Sequence, residues 1–213
     1  MTVAANPSLI RRMSWPARFG WALTGLFGLG IAVYSARYLL NPPSTPEEAL
    51  GNPLGVPWLV FHVAGAVTAL AVGSFQFLPV LRRVARPFHR WNGRLYGAGC
   101  LSGGLAGLVL APGSSAGPIA SVGFGLLAVI WIAVTALGWR AAMQGRITDH
   151  RRWMIRSWAL TLAAVTLRIY LPLVMILDLP FLESYRAISF LAWVPNLIAA
   201  EVWLRVRRPV SAT

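Results

Sequence analysis

His62, His89 and His150 are the chain's three histidines, and two of them share a local text. Pro87-Phe88-His89-Arg90-Trp91-Asn92-Gly93-Arg94 lies beside Thr148-Asp149-His150-Arg151-Arg152-Trp153-Met154-Ile155-Arg156, each running into an apolar stretch. An imidazole pair can hold haem iron, bind copper or another metal, or hydrogen-bond a quinone carbonyl and pass its proton. Haem asks for more than nitrogen donors, because its propionates are anionic and its macrocycle wants apolar walls. Arg90, Arg94, Arg151, Arg152 and Arg156 would neutralise propionates, and Trp91, Trp153 and Gly97 could line a ring. The same residues would serve a phospholipid headgroup or an anionic substrate equally well, and the plainer reading has both histidines capping helices or touching lipid phosphate. Met154, four residues after His150, is a soft ligand by chemistry and a packing residue by habit. Cys100 is the only cysteine, which excludes an internal disulfide and any cysteine-based zinc or iron–sulfur centre within the chain.

These residues must be positioned by elements that live in lipid. Of 213 residues 57% are hydrophobic and 12% charged, half the charge of an ordinary soluble domain. A soluble enzyme, a secreted disulfide scaffold and a disordered tail are thereby excluded. A bilayer core of about 30 Å takes about 20 helical residues. With Arg, Pro and Gly clusters as punctuation, spans fall near 17–40, 57–79, 95–112, 119–142, 153–177 and 187–204 of a single membrane domain covering 1–213. The expected class is all-α, a polytopic transmembrane bundle.

Charge placement orients it. All nineteen basic residues are arginine, against six acidic residues, for a net +13 that no physiological pH removes. Arg11, Arg12 and Arg18 precede the first span, Arg82, Arg83, Arg86, Arg90 and Arg94 follow the second, and Arg140, Arg146, Arg151, Arg152 and Arg156 surround the connector after the fourth. Arg205, Arg207 and Arg208 close the chain. The positive-inside rule then puts both termini and both basic connectors in the cytoplasm, with Glu47, Glu48, Asp178 and Glu183 outside. Trp15, Trp91, Trp139, Trp153 and Trp203 fall at the expected inner ends, and Tyr34, Tyr38, Trp58 and Tyr185 at the outer ends, as aromatic belts require. The Arg11–Arg12 pair resembles a secretion signal, but the apolar run behind it is too long, so the first segment reads as a retained helix. Arginines spread over membrane edges argue against nucleic acid as a partner.

Polar groups inside spans are expensive and therefore informative. His62 lies near the outer third of the second span and Gln76 toward its inner end. Arg168 sits about 18 Å deeper than Arg156, too deep to snorkel inward. Its options are a carbonyl, a water-filled cavity, an anionic ligand, or Tyr170 or Asp178. Glu201 and Arg205 are spaced for an i,i+4 pair. His62 is separated by about 27 Å of helix from His89 and His150, so one metal cannot use all three. Gly99, Gly103 and Gly107 strip one face of the third span to backbone, for a neighbouring helix or for a flat ring.

The stretch from about Trp58 to Pro172 resembles the bacterial predicted integral membrane proteins catalogued as domain of unknown function 2306. The matching text is His62, Gln76-Phe77, His89 through Tyr96, Trp131, His150 through Arg156, and Leu167-Arg168-Ile169-Tyr170-Leu171-Pro172. The resemblance implies a multi-pass protein of the bacterial inner membrane with a polar signature at these positions, and no reaction. The candidate cofactor-binding set is His89, His150, Arg90, Arg94, Arg151, Arg156 and Tyr96, with His62, Gln76 and Arg168 as intramembrane polar positions. A looser likeness to cytochrome b561-type bundles is limited by counting, since two bis-histidine haems need four imidazoles and three exist.

Three functions follow. The first is binding of haem b or a quinone-like redox molecule at a cytoplasmic-side His/Arg site, with His89 and His150 as metal ligands if haem or metal is bound. The second is an accessory or assembly subunit of a larger respiratory or other membrane complex, holding anionic lipid and a partner subunit. The third is a small-anion transporter using Arg168 as counter-charge, with Pro172, Pro195 and Asn196 breaking helices near it. No catalytic triad, P-loop or dinucleotide-binding glycine pattern is present.

Overall fold

A computed structural model describes residues 15–41, 55–76 and 85–206, and among these no strand occurs. Arg11, Arg12, Glu47, Glu48, Phe77, Arg82, Arg83, Arg207 and Arg208 lie outside the described residues. Among the described residues eight helices follow one another: α1 (Trp15–Leu40), α2 (Gly55–Gln76), α3 (Arg86–Leu110), α4 (Pro118–Met143), α5 (Ile147–Thr161), α6 (Ala163–Ile176), α7 (Phe181–Leu191) and α8 (Val194–Val206). A short 3-10 turn, Ala111–Gly113, ends α3. Among the described residues six helical stretches are long and apolar enough to cross a membrane, because α5 with α6, and α7 with α8, each form one span. The protein is thus an all-α, polytopic bundle. Large apolar side chains such as Leu26, Val33, Leu105, Val122 and Met175 point outward, as a lipid-facing surface demands.

Three spans begin earlier than arginine and proline punctuation suggests. α3 starts at Arg86 instead of near 95, α5 at Ile147 instead of near 153, and α7 at Phe181 instead of near 187. Pro87 occupies the first turn of α3, where its missing N–H has no helical partner to lose. Asp149 lies in the first turn of α5, favourably placed against the helix dipole. Polar residues therefore mark helix starts at the membrane edge, and both His-Arg motifs sit on first helical turns instead of in loops.

The two most closely packed neighbours are α2 and α3, whose backbones meet at glycines. A Cβ built on Gly65 would lie 2.7 Å from Gly103 Cα and 2.7 Å from Gly99 O, and one on Gly99 would lie 3.0 Å from Ala69 N. The stripped face of α3 is thus filled by a neighbouring helix and has no room for a ring. α1 packs on the other side of α2, α4 contacts α3, α5 and α7, and α8 lies along α5.

Both composite spans carry a short interruption, Leu162 in one and Ala192–Trp193 in the other. Asn196 links the two spans near these points, donating through Nδ2 to Thr166 Oγ1 (2.9 Å) and to Ala192 O (3.1 Å). Pro195 lies in the first turn of α8, where it costs no helical bond, whereas Pro172 lies inside α6 and leaves the Arg168 carbonyl without its helical donor, although the helix continues past it.

A polar network occupies the middle of the bundle. Tyr96, Thr135, Ser157 and Thr161 are all buried, and Tyr96 OH lies 2.9 Å from both Ser157 Oγ and Thr161 Oγ1. Thr135 Oγ1 is 2.7 Å from Ser157 Oγ, and Trp131 Nε1 donates to Thr161 Oγ1 at 3.0 Å. Hydrogen bonds of this kind join α3, α4 and α5 where lipid offers no competing water.

Candidate functional site

The amino-terminal turns of α3 and α5 open onto a cavity of about 720 Å³, within the range of small-molecule sites. α3 contributes His89, Arg86, Arg90 and Arg94, with Tyr96 and Gly97 deeper. α5 contributes His150, Arg151, Met154 and Ile155, and α4 contributes Thr135, Trp139, Ala142 and Met143. Gln76 of α2, Trp21 of α1 and Trp203 of α8 complete the wall. One chamber therefore receives both histidines, four arginines and an aromatic lining. Among the described residues that line it there is no carboxylate.

Local structure explains each placement. His89 and His150 sit on the first turns of helices that enter the bundle side by side, with α4 between them. Gln76 Nε2 donates to His89 O at 3.2 Å, tying the end of α2 to the start of α3. Asn92, one turn on, is buried and donates through Nδ2 to Val72 O at 2.8 Å. His150 Nδ1 lies 2.8 Å from Gly138 O. A carbonyl oxygen can only accept, so Nδ1 carries the proton, and in the neutral imidazole Nε2 keeps its lone pair. That arrangement, with one ring nitrogen fixed by a backbone carbonyl, orients histidines that ligate metals. Gly138 permits the approach, since a Cβ there would lie 2.7 Å from Met154 Sδ and 3.2 Å from Trp153 Cβ.

Of the sequence-derived set, His89, Arg90, Arg94, Tyr96, His150, Arg151 and Gln76 come together around this cavity. Arg156 does not line it: its Nε and Nη2 reach Glu201 at 2.5 and 3.0 Å. Glu201 consequently pairs across to α5 and not along its own helix with Arg205. Trp91 is 63% exposed beneath the Arg94 guanidinium, and Trp153 stacks under Arg156, so neither forms the expected ring wall. Trp21, Trp139 and Trp203 take that role.

His62 and Arg168 stand apart from the cavity. His62 Nδ1 lies 2.8 Å from Gly103 O, on the face where Gly107 leaves space for the ring. Arg168 Nη1 donates to Ala164 O at 3.2 Å, so of its options the carbonyl is the one realised. Tyr170 and Asp178 make no ion pair or hydrogen bond with it among the described residues.

Sequence reasoning missed Arg86, Thr135, Trp21, Trp139 and Trp203 as cavity residues. Trp139 sits on α4 with its ring where a Gly97 Cβ would be 3.1 Å from Cε3, and a small residue opposite a tryptophan was the available signal. Trp21 and Trp203 come from the first and last spans and meet edge to face at 6.0 Å, a proximity that no local pattern encodes.

No group of three His, Cys, Asp or Glu side chains that could hold a bare metal ion occurs among the described residues. A haem needs fewer protein ligands, because its macrocycle supplies four nitrogens and the chain only axial donors. Comparison with curated proteins and with solved structures gives no match. The family model described as predicted membrane protein (DUF2306) matches residues 59–204, which covers α3 to α7 and most of α2 and α8. The chain belongs to this family of predicted membrane proteins, domain of unknown function 2306.

Proposed function

We propose that this protein binds a haem of the b type in the large cavity and serves as an electron-carrying component of a bacterial inner membrane. The observation that carries the reading is one chamber lined by two imidazoles and four guanidinium groups, with no carboxylate among the described residues that line it. Such a wall attracts a flat apolar molecule bearing acidic substituents. His150 would hold the haem iron through Nε2, whose lone pair the bond from Nδ1–H to Gly138 O leaves available, and His89, which lines the same chamber, would be the second ligand. Arg86, Arg90, Arg94 and Arg151 would hold the propionates at the mouth, while Trp21, Trp139 and Trp203 exclude water from the macrocycle. Haem supplies one-electron chemistry; the chain supplies the ligands, the charge and the dry walls.

A quinone fits less well at His150. An acceptor nitrogen cannot donate to a quinone carbonyl, and Nδ1 is committed to Gly138. By the positive-inside rule the chamber faces the cytoplasm, the side of soluble electron donors.

The test is an absorbance spectrum of protein purified from a haem-replete host, oxidised and then reduced with dithionite. A Soret band that His150→Gln abolishes and His89→Gln shifts or weakens is the expected result. Protein that folds and carries no Soret band refutes the haem reading, and co-purified quinone found by solvent extraction would put that molecule in its place.

A further inference from the structure

A second, smaller cavity of about 150 Å³ lies on the seam between α5 and α8, and its chemistry differs from the first. Asp149, Arg152 and Arg156 line it from α5, and Glu201 and Arg205 from α8. Both carboxylates are already engaged. Glu201 takes Arg156 through both oxygens, and Asp149 Oδ2 accepts from Arg146 Nη1 at 2.7 Å. Arg152 and Arg205 make no salt bridge among the described residues. Two guanidinium groups thus face a polar recess with their counter-charges spent elsewhere.

The recess has the size of about five liquid-water volumes, room for one phosphate group with a little water and not for a haem or a quinone. It lies at the end of a span where arginines gather, the depth of lipid phosphates, and Trp153 backs it. A guanidinium presents paired donors that match two phosphate oxygens, and basic recesses between membrane helices take anionic headgroups. We infer that the α5–α8 seam is a phosphate-binding site, seating the phosphodiester of an anionic lipid between Arg152 and Arg205, with the Arg156–Glu201 pair as its fixed floor. This site is independent of what the large cavity holds. Occupancy would pin the last span to the helix that carries His150.

The experiment follows unfolding temperature in phosphatidylcholine micelles titrated with phosphatidylglycerol, and separately with inorganic phosphate. Phosphatidylglycerol is expected to stabilise the protein saturably, and Arg152→Gln/Arg205→Gln to raise the half-saturating mole fraction on the order of thirtyfold. The double variant should unfold at the wild-type temperature in phosphatidylcholine alone, because neither arginine holds an ion pair. Arg18→Gln/Arg140→Gln removes equal charge at exposed positions outside both cavities and should leave the titration unchanged. If inorganic phosphate competes at millimolar concentration, the site takes free phosphate; if only the lipid acts, it takes the headgroup. A non-saturating response, or equal losses from the two double variants, overturns the assignment in favour of diffuse surface charge.

Discussion

Replacing Ser157 by alanine should destabilise the bundle more than replacing Thr135 by valine, although each change deletes one hydroxyl of the same buried pair. The reason is the direction of the protons. Trp131 Nε1 can only donate, and it donates to Thr161 Oγ1. Thr161 gives its own proton to Ser157 O at 2.9 Å. Tyr96 must then give its single proton to Thr161, so the Tyr96 oxygen accepts from Ser157, and Ser157 accepts from Thr135. Ser157→Ala strands the Thr135 proton, at a side chain only 1% exposed, and removes the donor to Tyr96. Thr135→Val deletes the head of the chain and strands no donor. An unsatisfied buried hydroxyl costs about 1–3 kcal/mol, and interhelical hydrogen bonds in membranes average about 0.6 kcal/mol with a maximum near 1.7. We expect about 1.5 kcal/mol for Ser157→Ala and about 0.5 for Thr135→Val, a difference of roughly fivefold in the unfolding equilibrium. Equilibrium unfolding in mixed micelles, followed by tryptophan emission, measures both, and the double variant should cost little more than Ser157→Ala alone. The reasoning is refuted if Thr135→Val costs as much as Ser157→Ala, or if the two effects simply add.

Gly65→Ala should lower the unfolding temperature sharply, since its Cβ would lie 2.7 Å from Gly103 Cα, whereas Gly20→Ala, with nothing within 4 Å, should be neutral in the same scan. Glu201→Gln leaves the half-buried Arg156 without its carboxylate and should cost about 1 kcal/mol, with Arg156→Gln/Glu201→Gln closer to wild type, as a double-mutant cycle would read. Cys100 is fully buried beside Ser157 and Thr161, so folded protein in micelles should resist a maleimide reagent and denatured protein should react at once; labelling of the folded form would contradict the packing of α3.

The spans were legible because lipid imposes a length and forbids unpaired polar backbone, so six apolar stretches between arginine clusters admit few other readings. Their starts were less legible. Arg86, Pro87 and Asp149 look like loop text, yet all three suit a first helical turn at a membrane edge, where side chains reach water. His89 and His150 could be paired from their shared context and common side of the membrane, and the cavity does receive both. Their aromatic surroundings were not accessible in that way. Trp91 is two positions after His89 and turns to another face of α3, and Trp153, though only one turn from His150, lies under Arg156, so tryptophans from α1, α4 and α8 fill the wall. Arg156 shows the same limit: Glu201 is 45 residues distant in sequence and is brought to it only by the packing of α8 on α5.

The edge-to-face contact of Trp21 with Trp203 closes the chamber with residues from α1 and α8, the two described helices farthest apart in sequence. During synthesis the growing chain has no finished compartment until α8 has been inserted, however early His89 and His150 are in place. Closure of the compartment therefore waits on the packing of α8, whatever the order in which the helices that carry the two histidines assemble.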